Sequence, residues 1–375
     1  MPNIMDYMDW RGDITFKMRG FNEIDAMIFS YLSYVNMDNI APMLGQRAMS
    51  IQTVCEKFFA LHSEEELRAD KSLIRSAPYV MKKMVETERY GSLKIKNYVN
   101  NIDISRNLQL AAMEIVIDRN TSFLAFRGTD DNIVGWKEDF FLSKEEVEAQ
   151  RQSISFLDFI CSQLTEHKKF YIGGHSKGGN LAVYSAAYCD SQIRERIKKI
   201  YDFDGPGFKQ EFLDSVECEE ILPKVIRIIP ENSIIGMLLF HRVNPAIVKS
   251  SASGIMQHDM MSWEIHGNQL IYGEELTKQA QLMDETMDHW LANMKDCDRE
   301  KFITEVFSVI ESTGCKTLTE LYDGGLKSLQ TMIKKRSELS KDSRAKIDKL
   351  IQCYFGGLAD RIMRKIPGRK RNEVI

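Results

Sequence analysis

The run Gly173-Gly174-His175-Ser176-Lys177-Gly178-Gly179 contains a serine flanked two residues away on each side by glycine. A serine hydroxyl is a weak nucleophile by itself. It serves acyl transfer where a sharp turn exposes it and a neighbouring base takes its proton. Gly-x-Ser-x-Gly is such a turn, because the glycines leave room for a chain that doubles from strand to helix. The flanks agree: Lys169-Phe170-Tyr171-Ile172 predicts a short strand before the turn, and Gly179-Asn180-Leu181-Ala182 opens a small-residue helix after it. The N-terminus of that helix would face the oxygen on which negative charge develops. A tight strand–helix turn with an incidental serine shares the bare pattern, but the flanks and the doubled glycines favour a nucleophile at Ser176.

The base comes from seven histidines. In α/β-hydrolases the triad runs Ser, acid, His along the chain. His62 and His167 precede the serine, and His175 lies inside the turn, where its role is structural. Of the three that follow, His258 sits in a glycine-containing loop after a predicted strand at 247–250 and ranks first. His241 is second and His266 third.

The elements around these residues divide the chain into three zones. From 20 to about 100 the apolar spacing is helical, as in Phe21, Ile24, Met27, Ile28, Tyr31, Leu32 and Val35. From about 106 to 272 strands alternate with helices. Strands are predicted at 110–117 and 123–126, joined by a hairpin turn at Asp118-Arg119-Asn120, then at 169–172, 199–203 and 225–229. Helices are predicted from Ser143 to about His167, over 178–189 and over 209–216. This alternation implies a mainly parallel sheet with helices on both faces, and the serine turn set in it makes an α/β-hydrolase fold the expected class. From about 275 the pattern is helical again, over 275–294, 299–310, 318–337 and 341–363. The expected organisation is a lead-in at 1–20, a hydrolase domain at 21–275 with a helical N-terminal part, and a helical extension at 276–375.

Bulk properties exclude several classes. With 375 residues, 43% hydrophobic and 28% charged, the chain can bury a full core, and its net charge of −4 offers nothing to attract nucleic acid. The start, Met1 to Phe16, carries Asp6, Asp9, Arg11 and Asp13 and lacks a signal-peptide core. No apolar stretch is long enough to span a bilayer, so a cytoplasmic protein is expected. Seven scattered cysteines without a Cys-x-x-Cys pair read as reduced thiols, and neither a disulfide framework nor a metal is expected. The basic tail, 361 to 371, reads as a solvated terminus.

A second run lies upstream of the turn, Phe123-Leu124-Ala125-Phe126-Arg127-Gly128-Thr129-Asp130, followed by Trp136-Lys137-Glu138-Asp139. Together with Gly-His-Ser-x-Gly-Gly it resembles the class 3 lipase superfamily. The likeness is closer to a bacterial lipase-like family described as a domain of unknown function. That family shares Gly174-His175-Ser176-Lys177-Gly178-Gly179-Asn180, Gln257-His258-Asp259 with Ser262-Trp263, and Phe21-Asn22-Glu23-Ile24-Asp25. The resemblance covers about residues 20 to 270. It implies a serine carboxylester hydrolase, lipase- or esterase-like, working through an acyl-enzyme on Ser176 without a cofactor, with His258 as base. The oxyanion hole would take the N–H groups of Thr129 and Lys177. The substrate would be a small-molecule or lipid acyl ester, with no transmembrane segment and peripheral membrane contact left open. The region 132–151, with Trp136, Phe140 and Phe141, would be a lid or ordinary core packing.

Two positions depart from the lipase pattern. Registered on Ile234-Ile235, the expected Asp of the triad is Ser233. Glu231, two residues earlier with a longer side chain, is the first candidate acid. Asp204, at the end of the preceding strand, is the alternative, and a Ser–His dyad is the third option. Lys177 stands where the lipases carry an apolar residue. It either attracts an anionic head group or runs its side chain out to solvent. The missing Asp and the long helical flanks motivate the competing reading of a non-catalytic α/β-hydrolase-fold binding module with a degenerate triad.

Overall fold

The computed structural model describes residues 1–70, 72–103, 108–129, 146–163, 167–278, 280–281, 296–340, 343–345 and 347–348. The helix start expected at Ser143, most of the expected lid and the basic tail lie outside these residues. So does most of the helix expected over 341–363.

Among the described residues six helices precede the second strand of the main sheet: α1 (Ile4–Arg11), α2 (Glu23–Leu32), α3 (Ile51–Leu61), α4 (Glu64–Ala69), α5 (Ala77–Val85) and α6 (Glu88–Gly91). The described strands of the main sheet run in sequence order: β1 (Met49–Ser50), β2 (Lys94–Asp103), β3 (Leu108–Asp118), β4 (Thr121–Phe126), β5 (Lys169–His175), β6 (Ile197–Phe203), β7 (Val225–Pro230) and β8 (Ala246–Val248). Pairing is antiparallel from β1 to β4 and parallel from β4 to β8. This is an α/β-hydrolase fold.

Strand order explains why the helical N-terminal part exists. Right-handed crossovers between parallel strands laid down in one direction put every connecting helix on the same face. On that face α7 (Glu148–Ser162) and α8 (Lys177–Tyr188) pack with Leu124, Phe126, Phe170, Ile172 and Ile200. The alternate residues of the same strands, Phe123, Ala125, Tyr201 and Phe203, point the other way. There they meet α1, α2, α3 and α5 in a second apolar cluster. Ile4, Tyr7 and Met8 of the lead-in belong to that cluster. Without the N-terminal helices one face of the sheet would be bare.

The sequence placed most strands of the central zone, with differences at three places. Residues 94–103 are strand β2, not helix. A bulge between Lys96 and Val99, with Asn97 at φ 54°, breaks the period-two alternation that would have marked it. The helix expected at 209–216 is two short ones, Gln210–Leu213 and Val216–Ile221. The helix expected at 318–337 divides at Gly324-Gly325, where Gly325 takes φ 44°, into Leu318–Asp323 and Gly325–Arg336. Among the described residues no helix is long and apolar enough to cross a membrane.

The Phe21–Asp25 run is the anchor of α2. Asn22 Oδ1 accepts from the Ile24 and Asp25 N–H groups, and Asp25 Oδ2 accepts from Asn22 N at 2.8 Å, a reciprocal N-terminal cap. Asp25 is also buried against Arg89, whose Nε and Nη2 donate to it at 2.7 and 2.6 Å, and Tyr90 Oη donates at 2.6 Å. The helix is thereby fixed over β5, with Tyr31 near its end and Tyr34 just beyond.

Candidate active site

Ser176 ends β5 and begins α8 with φ 58° and ψ −134°, a conformation few side chains adopt and one that concentrates at functional turns. The glycines are required by contact as well as by torsion. A Cβ on Gly178 would strike the Phe126 carbonyl oxygen, and one on Gly174 would strike the backbone of Gly178. The turn therefore presses against the end of β4. A Cβ on Gly128 would come within 3.0 Å of Ser176 Cβ and collide with Tyr34 Oη, so the Arg127-Gly128-Thr129 segment runs alongside the serine. Ser176, Lys177 and Thr129 are all buried, at 3%, 2% and 6% exposure. The Lys177 side chain thus stays inside and does not run out to solvent.

His258 closes a short 3-10 helix, Gly254–His258, and is buried. Its Nδ1 lies 2.6 Å from Asp204 Oδ2. A carboxylate oxygen accepts, so Nδ1 carries the proton and Nε2 is the basic nitrogen. Asp204 sits one residue past β6 at φ 52°, and its N–H donates to Ile228 O of β7. Its other oxygen, Oδ1, accepts from Ser233 Oγ at 2.5 Å and from Gly236 N at 3.1 Å.

The carboxylate on the ring is therefore Asp204, the second of the two candidates, and not Glu231. Glu231 begins the loop after β7. Its N–H donates to Val248 O, its carbonyl accepts from Thr277 N, and its side chain lies beside Gly273. The backbone pairing with β8 turns that side chain toward the sheet's last strand. Ser233 explains why the sequence lacks an Asp at its own position. It gives a hydroxyl to the carboxylate that reaches the histidine from one strand away. A second carboxylate there would oppose the first.

Other histidines lie elsewhere. His266 is exposed in the hairpin of β9 (Ile265–His266) and β10 (Gln269–Leu270). His241 packs beside Gly207, and burial, with Arg227 nearby, holds its pKa well below the ordinary value. His62 faces Glu66 at the surface.

Of the residues that surround the His258 loop, the sequence marks His175 as structural and carries Gln257, Asp259 and Trp263 in its motif, but gives Tyr31, Tyr34 and Asn232 no place in the site. His175 is buried, with Nε2 2.7 Å from the His258 carbonyl and Nδ1 2.8 Å from Tyr34 Oη. Tyr31 Oη donates to Asp259 Oδ1 at 3.1 Å, and Trp263 Nε1 donates to Gln257 O at 2.8 Å. Gln257 Oε1 accepts from Asn232 N at 2.8 Å. The Gln-His-Asp…Ser-Trp run is thus a set of braces for one ring. The available signal was Tyr31 and Tyr34 three apart on one helical face, which reads equally well as core.

Burial shifts two more carboxyls. Asp202, beneath the start of α8, takes the Gly205 N–H at 3.0 Å and is pushed up to about 7 by burial, with Arg227 opposing. Asp259 is pushed up to about 6, again chiefly by burial. Among the described residues no group of three or more His, Cys, Asp or Glu could hold a metal ion.

Residues 84–308 match the Mbeg1-like family. The chain belongs to that family. It is class 3 lipase-like, and the match begins after the Phe21–Asp25 run and continues past 270. No curated protein matches the chain. Among solved structures, it is similar to M37 lipase at 16% identity, covering 58% of this chain and 70% of that one, with a TM-score of 0.40. It is also similar to Lip2 lipase from Yarrowia lipolytica at 12% identity, covering 51% and 76%, with a TM-score of 0.32.

Proposed function

We propose that this Mbeg1-like chain is a serine carboxylester hydrolase acting through an acyl-enzyme on Ser176, with a lipid or other acyl ester as substrate. The observation that carries the reading is the 2.6 Å contact between His258 Nδ1 and Asp204, braced against the loop of a strained serine. In this mechanism His258 Nε2 takes the Ser176 proton as Oγ attacks the ester carbonyl. The oxyanion forms against the N–H groups of Thr129 and Lys177. Each such donor is worth about 3–4 kcal/mol of barrier. Collapse returns the proton from His258 to the leaving alkoxide and leaves Ser176 acylated. Water, deprotonated by the same nitrogen, then attacks the acyl carbonyl and releases the acid. Asp204 orients the ring and stabilises the imidazolium without itself taking the proton.

The degenerate-triad alternative draws on the absence of Asp at 233 and on the long helical flanks. Asp204, on the ring nitrogen where an acid would act, supports the catalytic reading against the first of these grounds. A fluorophosphonate probe tests the proposal by forming a covalent bond to an activated serine. Native protein should label, denatured protein should not, and Ser176→Ala should abolish the adduct. Failure of the native protein to label, beside a hydrolase that does, overturns the reading. Nitrophenyl esters of rising chain length would then define the acyl preference.

A further inference from the structure

We propose that Tyr34 is a positioning residue for the base, fixing the proton of His175 so that His175 in turn holds the backbone of His258. The inference deepens the hydrolase reading and rests on it for its kinetic consequence. Its structural content stands by itself.

The tautomer follows from the partners. The His258 carbonyl oxygen can only accept, so His175 Nε2, 2.7 Å away, must carry a hydrogen. Nδ1 is then a lone pair, and Tyr34 Oη at 2.8 Å must donate to it. His175 is 1% exposed, so water cannot take over either partner. Burial, reinforced by the neighbouring His258, keeps the ring well below the usual histidine pKa and hence neutral, with one proton to place. Without the hydroxyl, Nδ1 has no donor. Moving the proton there would turn the Nε2 lone pair onto the His258 carbonyl and push the loop away.

Neutrality also matters. The rings of His175 and His258 have centroids 4.3 Å apart, so a charge on the first would oppose imidazolium on the second. Tyr31, one turn earlier, grips the next residue of the loop through Asp259. Both tyrosines precede residue 84, where the family match starts. Helix α2 and the turn after it therefore complete a site whose proposed nucleophile, base and acid all lie within the match.

The test uses the full chain with three variants, Tyr34→Phe, His175→Leu and the pair combined. Tyr34→Phe should lower kcat on a nitrophenyl ester about 10-fold with KM unchanged, as expected for a small misplacement of a catalytic group. In the His175→Leu background the same change should have no further effect, because the two act in one chain. His175→Gln, which can both donate to His258 and accept from Tyr34, should recover much of what His175→Leu loses. Imidazole 15N NMR reads the structural claim directly. Wild-type His175 should show the Nε2–H tautomer, and Tyr34→Phe should disturb its shifts. Additive kinetic losses, or an Nδ1–H tautomer in wild type, overturn the proposal while leaving the hydrolase reading intact. If wild type does not label with fluorophosphonate, the hydrolase reading falls and the NMR result alone decides the clamp.

Discussion

Asp25 and Asp204 are both buried carboxylates fully engaged by donors, yet they are held in different ways. Asp25 lies in the first turn of α2 and takes two bonds from Arg89, one from Tyr90 and one from Asn22 N. Arg89 spends its remaining N–H groups on the carbonyls of Ile14, Arg19 and Gly20. Its charge is permanent, and the whole assembly is matched at all times. Asp204 sits at φ 52° in the loop after β6, held by a hydroxyl, one N–H and an imidazole. In the proposed mechanism that imidazole takes a positive charge as the serine attacks. Asp25 is matched to a cation that is always there, and Asp204, on the proposed mechanism, to one that comes and goes. The first arrangement suits fold stability, the second suits catalysis.

The largest expected effect separates these roles kinetically. Asp204→Asn keeps the shape but offers His258 an amide, which favours the wrong ring tautomer, so kcat should drop on the order of 10⁴-fold with the circular dichroism spectrum unchanged. Glu231→Gln should stay close to wild type in the same ester assay. A deep loss at Glu231 with activity retained at Asp204 would reverse the assignment of the acid.

The converse prediction concerns stability. Arg89→Met leaves the Asp25 carboxylate buried without its cation, and should cost about 3–5 kcal/mol in urea unfolding. Asp204→Asn removes a charge but no cation, and should cost less. If Asp204→Asn proves the more destabilising of the two, the contrast between a structural and a working carboxylate is wrong.

The legibility of the molecule followed the same division. The strand–turn–helix around Ser176 and the loop that carries His258 are legible from local pattern, whereas Thr129 and Lys177 enter as oxyanion-hole residues only through the family resemblance. The parallel strands β5 to β7 were readable as short apolar runs between helices. What failed was long-range. Strand β2 hid behind the Asn97 bulge, and the choice between Glu231 and Asp204 depended on which strand end faces the histidine loop. Tyr34 lies 141 positions from the ring it touches, and its helical neighbours make it look like core. Periodicity reports which face a residue occupies, and does not report what waits on the other side.

The smallest effect is also the one that sharpens the comparison most. Ser233 stands at the position where the lipase pattern places its acid, and its hydroxyl instead donates to Asp204 Oδ1. Ser233→Ala removes one of three donors from a buried carboxylate and should lower kcat about 10-fold, equivalent to roughly 1.4 kcal/mol, with KM unchanged. Ser233→Asp, which restores the residue type of the lipase pattern, should do worse. Two carboxylates at that spacing cannot both ionise readily, so one is held protonated to a higher pH. The acid limb of kcat/KM should therefore move upward in Ser233→Asp and stay in place in Ser233→Ala. Should Ser233→Asp instead match or exceed wild type at neutral pH, then position 233 still serves as an acid site, and Asp204 has not taken over that role alone.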